Sequence, residues 1–269
     1  MEQHRTLSFQ GRNIHYRDEG REFSNTLVLL HGFMQSLDVW SSYTLTYMRF
    51  MRVISIDLPG HGYSDCYGDT HTMEFMADAV KAVLDAAGVD QCVMVGHSMG
   101  GYVALSFAEK YPYSLRGLGL LHSHALSDSD SHRASRYEAC EEVSTNRAGY
   151  VLKFISTLFD DSKRAPLAQE IKDLQDLCLE TGTQGIVAAQ RGMALRSSRI
   201  GVLQRAEVPI LFIYGKNDNR IPLEVAVSQA MVPHYAEIML LDGVGHMSHI
   251  EERDYVKLRL KNFVDTCYY

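Results

Sequence analysis

One serine of this sequence lies in a setting that is typical of catalytic nucleophiles. Ser98 is the centre of Gly96-His97-Ser98-Met99-Gly100, which follows a short apolar run at 92–95 and precedes a helical pattern at 102–110. A G-x-S-x-G segment between a strand and a helix forms a sharp turn that presents the serine hydroxyl at the end of a sheet. Flanking glycines let the strand and the helix approach each other, while the serine adopts a strained backbone conformation. The sequence therefore predicts that Ser98 is a nucleophile beside the positive end of a helix.

A serine hydroxyl needs a base to accept its proton, and the base needs a third group to orient it. When a G-x-S-x-G serine is used in this way, an acid and then a histidine follow later in the chain, each after a strand. Asp218 follows an apolar run at 208–214, and His246 follows another at 237–241. Because the carboxyl ends of parallel strands lie at one edge of a sheet, we predict that Asp218 and His246 meet Ser98 there.

Other residues compete for these two roles, since the chain has 12 histidines. His249 lies a turn beyond the preferred histidine, where a helical pattern starts, and His61 lies in a glycine-rich turn. His97 is expected to point away from the neighbouring serine hydroxyl. Asp242 is interpreted as a structural turn residue, and Asp128 lies too far beyond its preceding strand to replace the preferred acid easily.

A tetrahedral oxyanion requires two preorganised N–H donors. We assign them to the backbone of Met99, directly after the candidate nucleophile, and of Phe33, in the loop after the predicted strand 26–30. Apolar and aromatic residues form the candidate substrate pocket: Phe33, Tyr102, Phe154, Met193 and Met247. For Phe154 and Met193, which lie at helical spacing, packing against the body of the fold is the more common role.

Strand-like and helix-like segments alternate along the chain, which is typical of a mainly parallel sheet with helices on both faces. A hairpin around Gly11 opens the sequence, and apolar residues at helical spacing predict a helix over 70–87. The predicted strands are 7–10, 13–17, 26–30, 53–57, 92–95, 117–121, 208–214 and 237–241, and 256–264 belongs to a closing helix. We therefore predict an α/β fold with a mostly parallel, eight-stranded sheet.

The strand pattern stops between residues 123 and 206, where charged helical segments replace it. A structureless loop of this length is uncommon in a compact domain, so we predict an inserted helical lid. The core domain then comprises 1–122 and 207–269, and the lid comprises 123–206. Three arginines of the lid could meet an anionic substrate group, although a solvated helix face is the favoured interpretation. They are Arg191, Arg196 and Arg199.

Five short motifs occur in a fixed order along the chain. They are Leu30-His31-Gly32-Phe33, a D-x-x-G-x-G-x-S segment at 57–65, the glycine-rich turn at 96–101, Gly215-Lys216-Asn217-Asp218 with Pro222, and Gly245-His246 with Glu251. Together they resemble the motifs of the α/β-hydrolase superfamily, over nearly the whole chain outside the predicted lid. The resemblance implies the α/β-hydrolase fold, with an oxyanion loop at 30–33 and a nucleophile elbow at Ser98. It implies neither a cofactor nor a metal.

Within this superfamily the chain most resembles the serine-nucleophile carboxylesterases. Ser98 disfavours the haloalkane dehalogenases and epoxide hydrolases, which use an aspartate nucleophile, and Tyr102 disfavours the menaquinone-pathway lyase, which has arginine there. We expect a hydrolase that cleaves a small-molecule carboxylic ester through an acyl-enzyme. Three alternatives stay open, because this fold hosts many reactions: a carbon–carbon bond hydrolase or lyase, acyl transfer to an alcohol or peroxide, and a non-catalytic small-molecule binding module.

The composition restricts the partners of the protein. A formal net charge of −7 disfavours nucleic acid and anionic membranes, and no apolar run reaches the roughly 18 residues of a membrane span. The first residues lack the apolar core of a signal peptide, and the five cysteines show no metal-binding pattern. We expect a cytoplasmic monomer or homodimer with free thiols, acting on a small-molecule ester.

Overall fold

The computed structural model describes residues 4–269; residues 1–3, part of the segment in which no signal peptide is predicted, lie outside the described residues. The strands are β1 (His4–Phe9), β2 (Arg12–Glu19), β3 (Thr26–Leu30), β4 (Arg52–Ile56), β5 (Cys92–His97), β6 (Leu115–Leu121), β7 (Ile210–Gly215) and β8 (Ala236–Leu241). The helices are α1 (Ser41–Tyr47), α2 (Met73–Ala86), α3 (Met99–Lys110), α4 (Asp130–Ser156), α5 (Asp161–Arg164), α6 (Ala168–Leu179), α7 (Thr183–Ala194), α8 (Ile200–Arg205), α9 (Leu223–Ala230), α10 (Ser248–Glu251) and α11 (Arg253–Tyr268). Short 3-10 helices lie at Leu37–Trp40 and Pro112–Ser114.

Within residues 4–269, eight strands form one sheet with the order β1-β2-β4-β3-β5-β6-β7-β8. The pairings of β1 with β2 and of β2 with β4 are antiparallel, and every later pairing is parallel. The carboxyl ends of β3 and of β5 to β8 therefore lie at the same edge. This arrangement confirms the predicted α/β fold with a mostly parallel, eight-stranded sheet.

Alternate residues of the central strands face two separate hydrophobic cores. In β3, Val28 and Leu30 belong to one core, and Leu27 and Leu29 belong to the other. Helices α2 and α3 contribute to the first core, and α1 and α11 contribute to the second. A strand that is buried on both faces has to be apolar along nearly its whole length, which explains the Thr-Leu-Val-Leu-Leu sequence of β3.

Several element boundaries differ from the predicted ones, for local reasons. Helix α2 begins later than predicted because the Thr72 side chain caps it by accepting a hydrogen bond from the N–H of Phe75 (3.2 Å). Strand β5 continues to His97 and helix α3 already begins at Met99. A single residue, Ser98, thus separates strand from helix, and the turn is tighter than the apolar pattern alone indicates.

Helices α4 to α8 occupy the chain between β6 and β7, where the sequence predicts helices in place of strands. Helix α4 contacts both α6 and α7, and its helical geometry is interrupted at Asn146 (φ −145°, ψ 72°). The division into a core of 1–122 and 207–269 and a lid of 123–206 stays a prediction. Within residues 4–269, every helix is too short or too polar to traverse a lipid bilayer.

Helix α7 approaches the loop between β4 and α2 so closely that only glycine fits at two positions. The N–H of His71 donates to the carbonyl of Ala188 (2.9 Å). A Cβ atom at Gly185 would overlap the carbonyl of Gly60, and one at Gly192 would overlap the carbonyl of His71. Backbone-to-backbone contact therefore fixes this inserted helix against the loop.

We expect Gly192→Ala to lower the free energy of unfolding by about 1–3 kcal/mol, because the added methyl group forces α7 away from the loop. Urea denaturation at neutral pH measures the change. Gly201→Ala in α8 is the matched control, since its Cβ would meet only the flexible end of Arg205 and alanine favours a helix over glycine by about 1 kcal/mol. A Gly192→Ala protein as stable as the wild type would contradict the close contact.

Candidate active site

Ser98 has a strained backbone that the packing around it maintains. Its φ of 50° and ψ of −114° fall where residues other than glycine rarely lie. A Cβ atom at Gly100 would come within 2.5 Å of the Leu30 carbonyl oxygen, and one at Gly96 would overlap Gly100 itself. The N–H of Ser98 donates to the carbonyl of Leu121 on the neighbouring strand (2.9 Å). These contacts fix the half-buried serine at the carboxyl edge of the sheet.

Asp218 follows β7 and His246 follows β8, and hydrogen bonds join their side chains. Nδ1 of His246 lies 2.8 Å from Oδ2 and 3.0 Å from Oδ1 of Asp218, and both residues are buried. Because an ionised carboxylate can only accept hydrogen bonds, the geometry assigns the proton to Nδ1 and leaves the lone pair on Nε2. His246 and Ser98 line one cavity of about 280 Å³.

Asp218 accepts three further hydrogen bonds. The backbone N–H groups of Arg220 and Ile221 donate to Oδ1 (2.8 and 3.1 Å), and Nδ1 of His122 donates to Oδ2 (2.8 Å). Burial alone would raise the pKa of Asp218, but the electrostatic attraction of His246 and the hydrogen bonds from His122 and His246 hold that pKa far below its ordinary value. Asp218 is therefore ionised wherever the protein is folded near neutral pH.

His122 is a neighbour of Asp218 that sequence reasoning missed. It follows β6, has a positive φ of 47° and is fully buried. Its Nε2 accepts a hydrogen bond from the backbone N–H of Ser248 (3.2 Å), so the proton has to lie on Nδ1, which faces Asp218. Burial lowers the pKa of His122, against the opposing effect of Asp218. The sequence offers one signal for His122: it directly follows β6, the strand next to β7.

The loop that carries His246 is held from two sides. The Glu251 carboxylate accepts hydrogen bonds from the N–H groups of Gly245 (3.0 and 3.1 Å) and Met247 (3.0 Å). The N–H of His246 donates to the carbonyl of Leu158, just after α4 (2.7 Å). Burial raises the pKa of Glu251, although its N–H donors oppose that shift. The inserted helices thus help to position the histidine.

Two hydrogen bonds of His31 fix the loop after β3, which carries Phe33. Nε2 of His31 accepts a hydrogen bond from the N–H of Leu58 (3.0 Å), so Nδ1 carries the proton and donates to the carbonyl of Gly32 (2.8 Å). Within the described part of the chain, the N–H groups of Phe33 and Met99 have no acceptor. Both are free to bind an oxyanion, which stays a prediction.

The cavity shared by Ser98 and His246 is lined by four of the five predicted pocket residues. They are Phe33, Tyr102, Phe154 and Met193. Contrary to the prediction, Met247 does not line it: this side chain is fully buried in a hydrophobic core, with its sulfur 3.9 Å from the Gln35 amide. The side chain of His246 faces the cavity, and the side chain of the next residue, Met247, points into the core instead. Much of the remaining lining is polar and includes Asp128, Arg136 and Arg220.

The residues that competed for catalytic roles have other partners. Nε2 of His97 donates to the backbone carbonyl of His246 (3.0 Å). His249 is buried against the ring of His97, with the two ring centroids 4.3 Å apart. Asp242 is exposed and pairs with Lys216 (2.8 Å). None of these three lines the cavity, whereas Asp128 does so while bound to arginines.

Two of the three lid arginines do not lie on a solvated face, so that interpretation was wrong for them. Arg196 is buried, pairs with Asp128 (2.7 Å) and lies over the ring of Tyr102 at 4.1 Å. Arg199 is buried and pairs with glutamates of α2 and α3, including Glu109 (3.1 Å). Their partners are distant in sequence, and helical periodicity does not reveal them.

His122, Asp218 and His246 are also, among the described residues, the group whose atoms lie close enough together to hold a metal ion. The same atoms are joined by the hydrogen bonds given above, which account for their proximity. The expectation that no metal and no cofactor takes part stays a prediction.

We expect His122→Asn to lower the free energy of unfolding by about 1.5–3 kcal/mol near pH 8, because the Asp218 carboxylate loses a hydrogen bond. Asparagine tolerates a positive φ, so the variant tests the ring and not the backbone. His234→Asn, at an exposed histidine, is the control and should change stability by less than about 0.5 kcal/mol.

Acid should reduce the difference between His122→Asn and the wild type. The lowered pKa of His122 means that, below the ordinary value of 6.5, the unfolded wild-type chain binds a proton that the folded one excludes, which destabilises the wild type alone. The stabilisation from the lowered pKa of Asp218 is complete above 3.8 and declines below it. Urea denaturation at pH 8, 6.5 and 5 measures the trend, and a constant difference would contradict it.

Comparison with known proteins agrees with the motifs and the fold. The family described as alpha/beta hydrolase fold matches residues 25–253. A bifunctional esterase/perhydrolase of Acinetobacter calcoaceticus is 26% identical over 227 residues, which cover 80% of this chain and 82% of that protein. A 2-hydroxy-6-oxononadienedioate/2-hydroxy-6-oxononatrienedioate hydrolase of Paraburkholderia phymatum is 26% identical over 268 residues, covering 93% and 90%. The structure of a thermophilic esterase from Thermogutta terrifontis matches with a TM-score of 0.92 and 26% identity over 100% of both chains. The chain belongs to the α/β-hydrolase fold family.

Proposed function

We propose that this protein is a serine hydrolase that cleaves a small-molecule carboxylic ester through an acyl-enzyme. The observation that carries the proposal is the buried His246–Asp218 pair (2.8 Å), whose histidine shares a cavity with the strained Ser98. The relatives named as esterases support an ester as the bond that is cleaved. The histidine geometry supports a base with its lone pair on Nε2.

In the first half of the proposed reaction, Nε2 of His246 accepts the proton of the Ser98 hydroxyl while the oxygen attacks the ester carbonyl carbon. The resulting oxyanion accepts hydrogen bonds from the N–H groups of Phe33 and Met99. The tetrahedral intermediate then collapses as His246 returns the proton to the leaving alkoxide, which departs as an alcohol. Ser98 is left as an acyl ester.

In the second half, His246 removes a proton from a water molecule that attacks the acyl carbonyl, and the same N–H groups bind the second oxyanion. Collapse of this intermediate breaks the bond to Ser98, and His246 protonates the serine oxygen. Asp218 remains a carboxylate throughout: it holds the Nδ1–H tautomer and stabilises the imidazolium that forms twice per turnover.

The cavity supports a small substrate. Its volume is about 280 Å³, slightly below the usual range of about 300–1,000 Å³ for ligand sites. Phe33 and Phe154 meet edge to face on its wall (ring centroids 5.8 Å apart), which offers apolar contact to a short chain. Because Phe154 and Met193 come from the inserted helices, we propose that these helices act as a lid that sets chain-length preference.

A second candidate is cleavage of a carbon–carbon bond by the same residues, which the relative from Paraburkholderia phymatum supports. Turnover of a vinylogous diketone, without turnover of any ester, would favour it. Product analysis in the presence of an alcohol or a peroxide distinguishes hydrolysis from acyl transfer. A protein that neither turns over substrate nor reacts with a serine-directed inhibitor would be a binding module.

Ser98→Ala should reduce ester turnover by about 10³-fold or more, since no other group can form the acyl-enzyme. Rates on p-nitrophenyl esters from acetate to palmitate measure this, and mass spectrometry locates fluorophosphonate on Ser98 of the wild type. Ser106→Ala, at a buried serine of α3 whose hydroxyl has no partner among the described residues, should retain both ester turnover and fluorophosphonate labelling. Turnover by Ser98→Ala at the wild-type rate would refute the assignment.

Asp218→Asn should fold but lose about 10⁴-fold in kcat, because an amide stabilises neither the Nδ1–H tautomer nor the imidazolium. Asp242→Asn, in the neighbouring loop, should stay near the wild-type rate.

Wild-type activity should fall as the pH is lowered, because a general base has to be neutral. The lowered pKa of Asp218 rules out its own protonation as the cause above about pH 5. A rate that does not decline on acidification would contradict a histidine base.

A further inference from the structure

The cavity beside Ser98 carries more positive charge than its own lining neutralises. Among the residues that line it are two arginines, Arg136 and Arg220, and one carboxylate, Asp128. Asp128 is buried and bound both by Arg136 (2.5 Å) and by Arg196 from outside the lining (2.7 Å). Its negative charge is therefore already shared by two guanidinium groups, and no acid of the lining is left for Arg220.

Among the residues that the structure describes, Arg220 lacks the carboxylate partner that arginines such as Arg52 and Arg199 have. Arg52, for comparison, forms two hydrogen bonds to Asp18 (2.7 and 2.8 Å). Within residues 4–269, no carboxylate side chain lies within ion-pair distance of the Arg220 guanidinium. It donates instead from Nη2 to the hydroxyl of Thr157 (2.6 Å) and lies over the ring of Phe154 at 4.5 Å. Most of its five N–H donors are free for a ligand.

The position of Arg220 is fixed relative to the candidate catalytic groups. Its backbone N–H donates to Oδ1 of Asp218 (2.8 Å), so the Arg220 backbone is fixed beside the candidate acid. Burial of the guanidinium lowers the pKa of Arg220, against the attraction of Tyr150 and Asp218, but the residue as a whole is exposed to solvent. Water can therefore reach the free N–H donors of the guanidinium, and a bound carboxylate would replace that water.

The charges on the outer side of Arg220 indicate where such an anion would lie. Arg220 also lines a second, outer cavity, whose lining includes Glu138, Glu142 and Lys153. Glu142 pairs with Lys153 at 4.0 Å, which leaves Glu138 to repel anions there. In the cavity of Ser98, by contrast, the carboxylate of Asp128 is already paired with two arginines, so an anion is less opposed there.

We propose that the natural substrate is an ester that carries a second, free carboxylate, and that Arg220 binds this carboxylate. The inference rests on the proposed function, because it concerns the cavity of Ser98. A planar guanidinium with parallel N–H donors matches a carboxylate in a bidentate arrangement. Half-esters of short dicarboxylic acids are the simplest substrates of this class, with the aliphatic part against Phe33 and Phe154.

The test compares two series of methyl esters. The first is the monomethyl esters of succinic, glutaric and adipic acid, and the second is the methyl esters of unbranched monocarboxylic acids of the same chain lengths. Titration of the released acid at constant pH gives kcat/KM for each ester. For at least one length, the wild type should prefer the half-ester to its neutral counterpart by about tenfold, which corresponds to about 1.4 kcal/mol.

Arg220→Gln should lower the ratio of the two kcat/KM values by about tenfold or more, and Arg220→Lys should lower it less, because lysine keeps the charge but not the fork. Lys216→Gln is the matched control: it removes the same charge from the same loop, outside the lining of the cavity, and should leave the ratio within about twofold. If Arg220→Gln fails to fold, Arg220→Lys decides. A ratio unchanged by both variants, or a wild type that prefers the neutral ester at every length, would overturn the inference.

A binding measurement separates this inference from the proposed function. Ser98→Ala should bind the preferred half-ester, measured by titration calorimetry, and Ser98→Ala combined with Arg220→Lys should bind it more weakly. Fluorophosphonate labelling of Ser98 together with an unchanged ratio would overturn only the role of Arg220. Absence of labelling and of ester turnover would overturn the proposed function, while equal half-ester binding by the two calorimetry variants would overturn the carboxylate site.

Discussion

A single buried carboxylate constrains the carboxyl edge of the sheet. Asp218 is 8% exposed, and an ionised carboxylate at such a depth is strongly unfavourable unless hydrogen bonds replace its water. The rings of His122 and His246 and the backbone of its own loop supply those bonds. Because the donors come from the ends of β6, β7 and β8, three neighbouring strands have to end in register around one group.

The residues inserted between β6 and β7 also contribute to this edge. The carbonyl of Leu158 accepts the hydrogen bond from the N–H of His246, and the carboxylate of Glu251 accepts one from the N–H of Asp160 as well as those of the histidine loop. The chain just after α4 is therefore part of the support of His246. If the inserted helices open as a lid, the residues next to Leu158 have to stay in place, and movement has to arise elsewhere in the insertion.

The sequence was sufficient for the central strands of the sheet, because strands that are buried on both faces are continuous apolar runs. It was also sufficient to place Asp218 and His246 side by side, since residues that follow parallel strands share an edge. It did not reveal His122, whose importance arises from a bond to a residue 96 positions away. Nor did it assign Met247, because adjacent residues of an irregular loop follow no fixed alternation, or Arg196, whose partner Asp128 lies in another part of the insertion.

The loop after β7 links the proposed chemistry to the proposed selectivity. Asp218 supplies the acid, and two residues later Arg220 supplies the cation, with its N–H on the same carboxylate. A substrate carboxylate bound by Arg220 would place a negative charge near the imidazolium that His246 becomes in each tetrahedral intermediate. That charge favours the imidazolium and opposes the oxyanion, which in the proposed reaction is bound at the helix N-terminus by the N–H groups of Phe33 and Met99. A free carboxylate is therefore compatible with catalysis only when the guanidinium of Arg220 neutralises it and holds it away from the oxyanion.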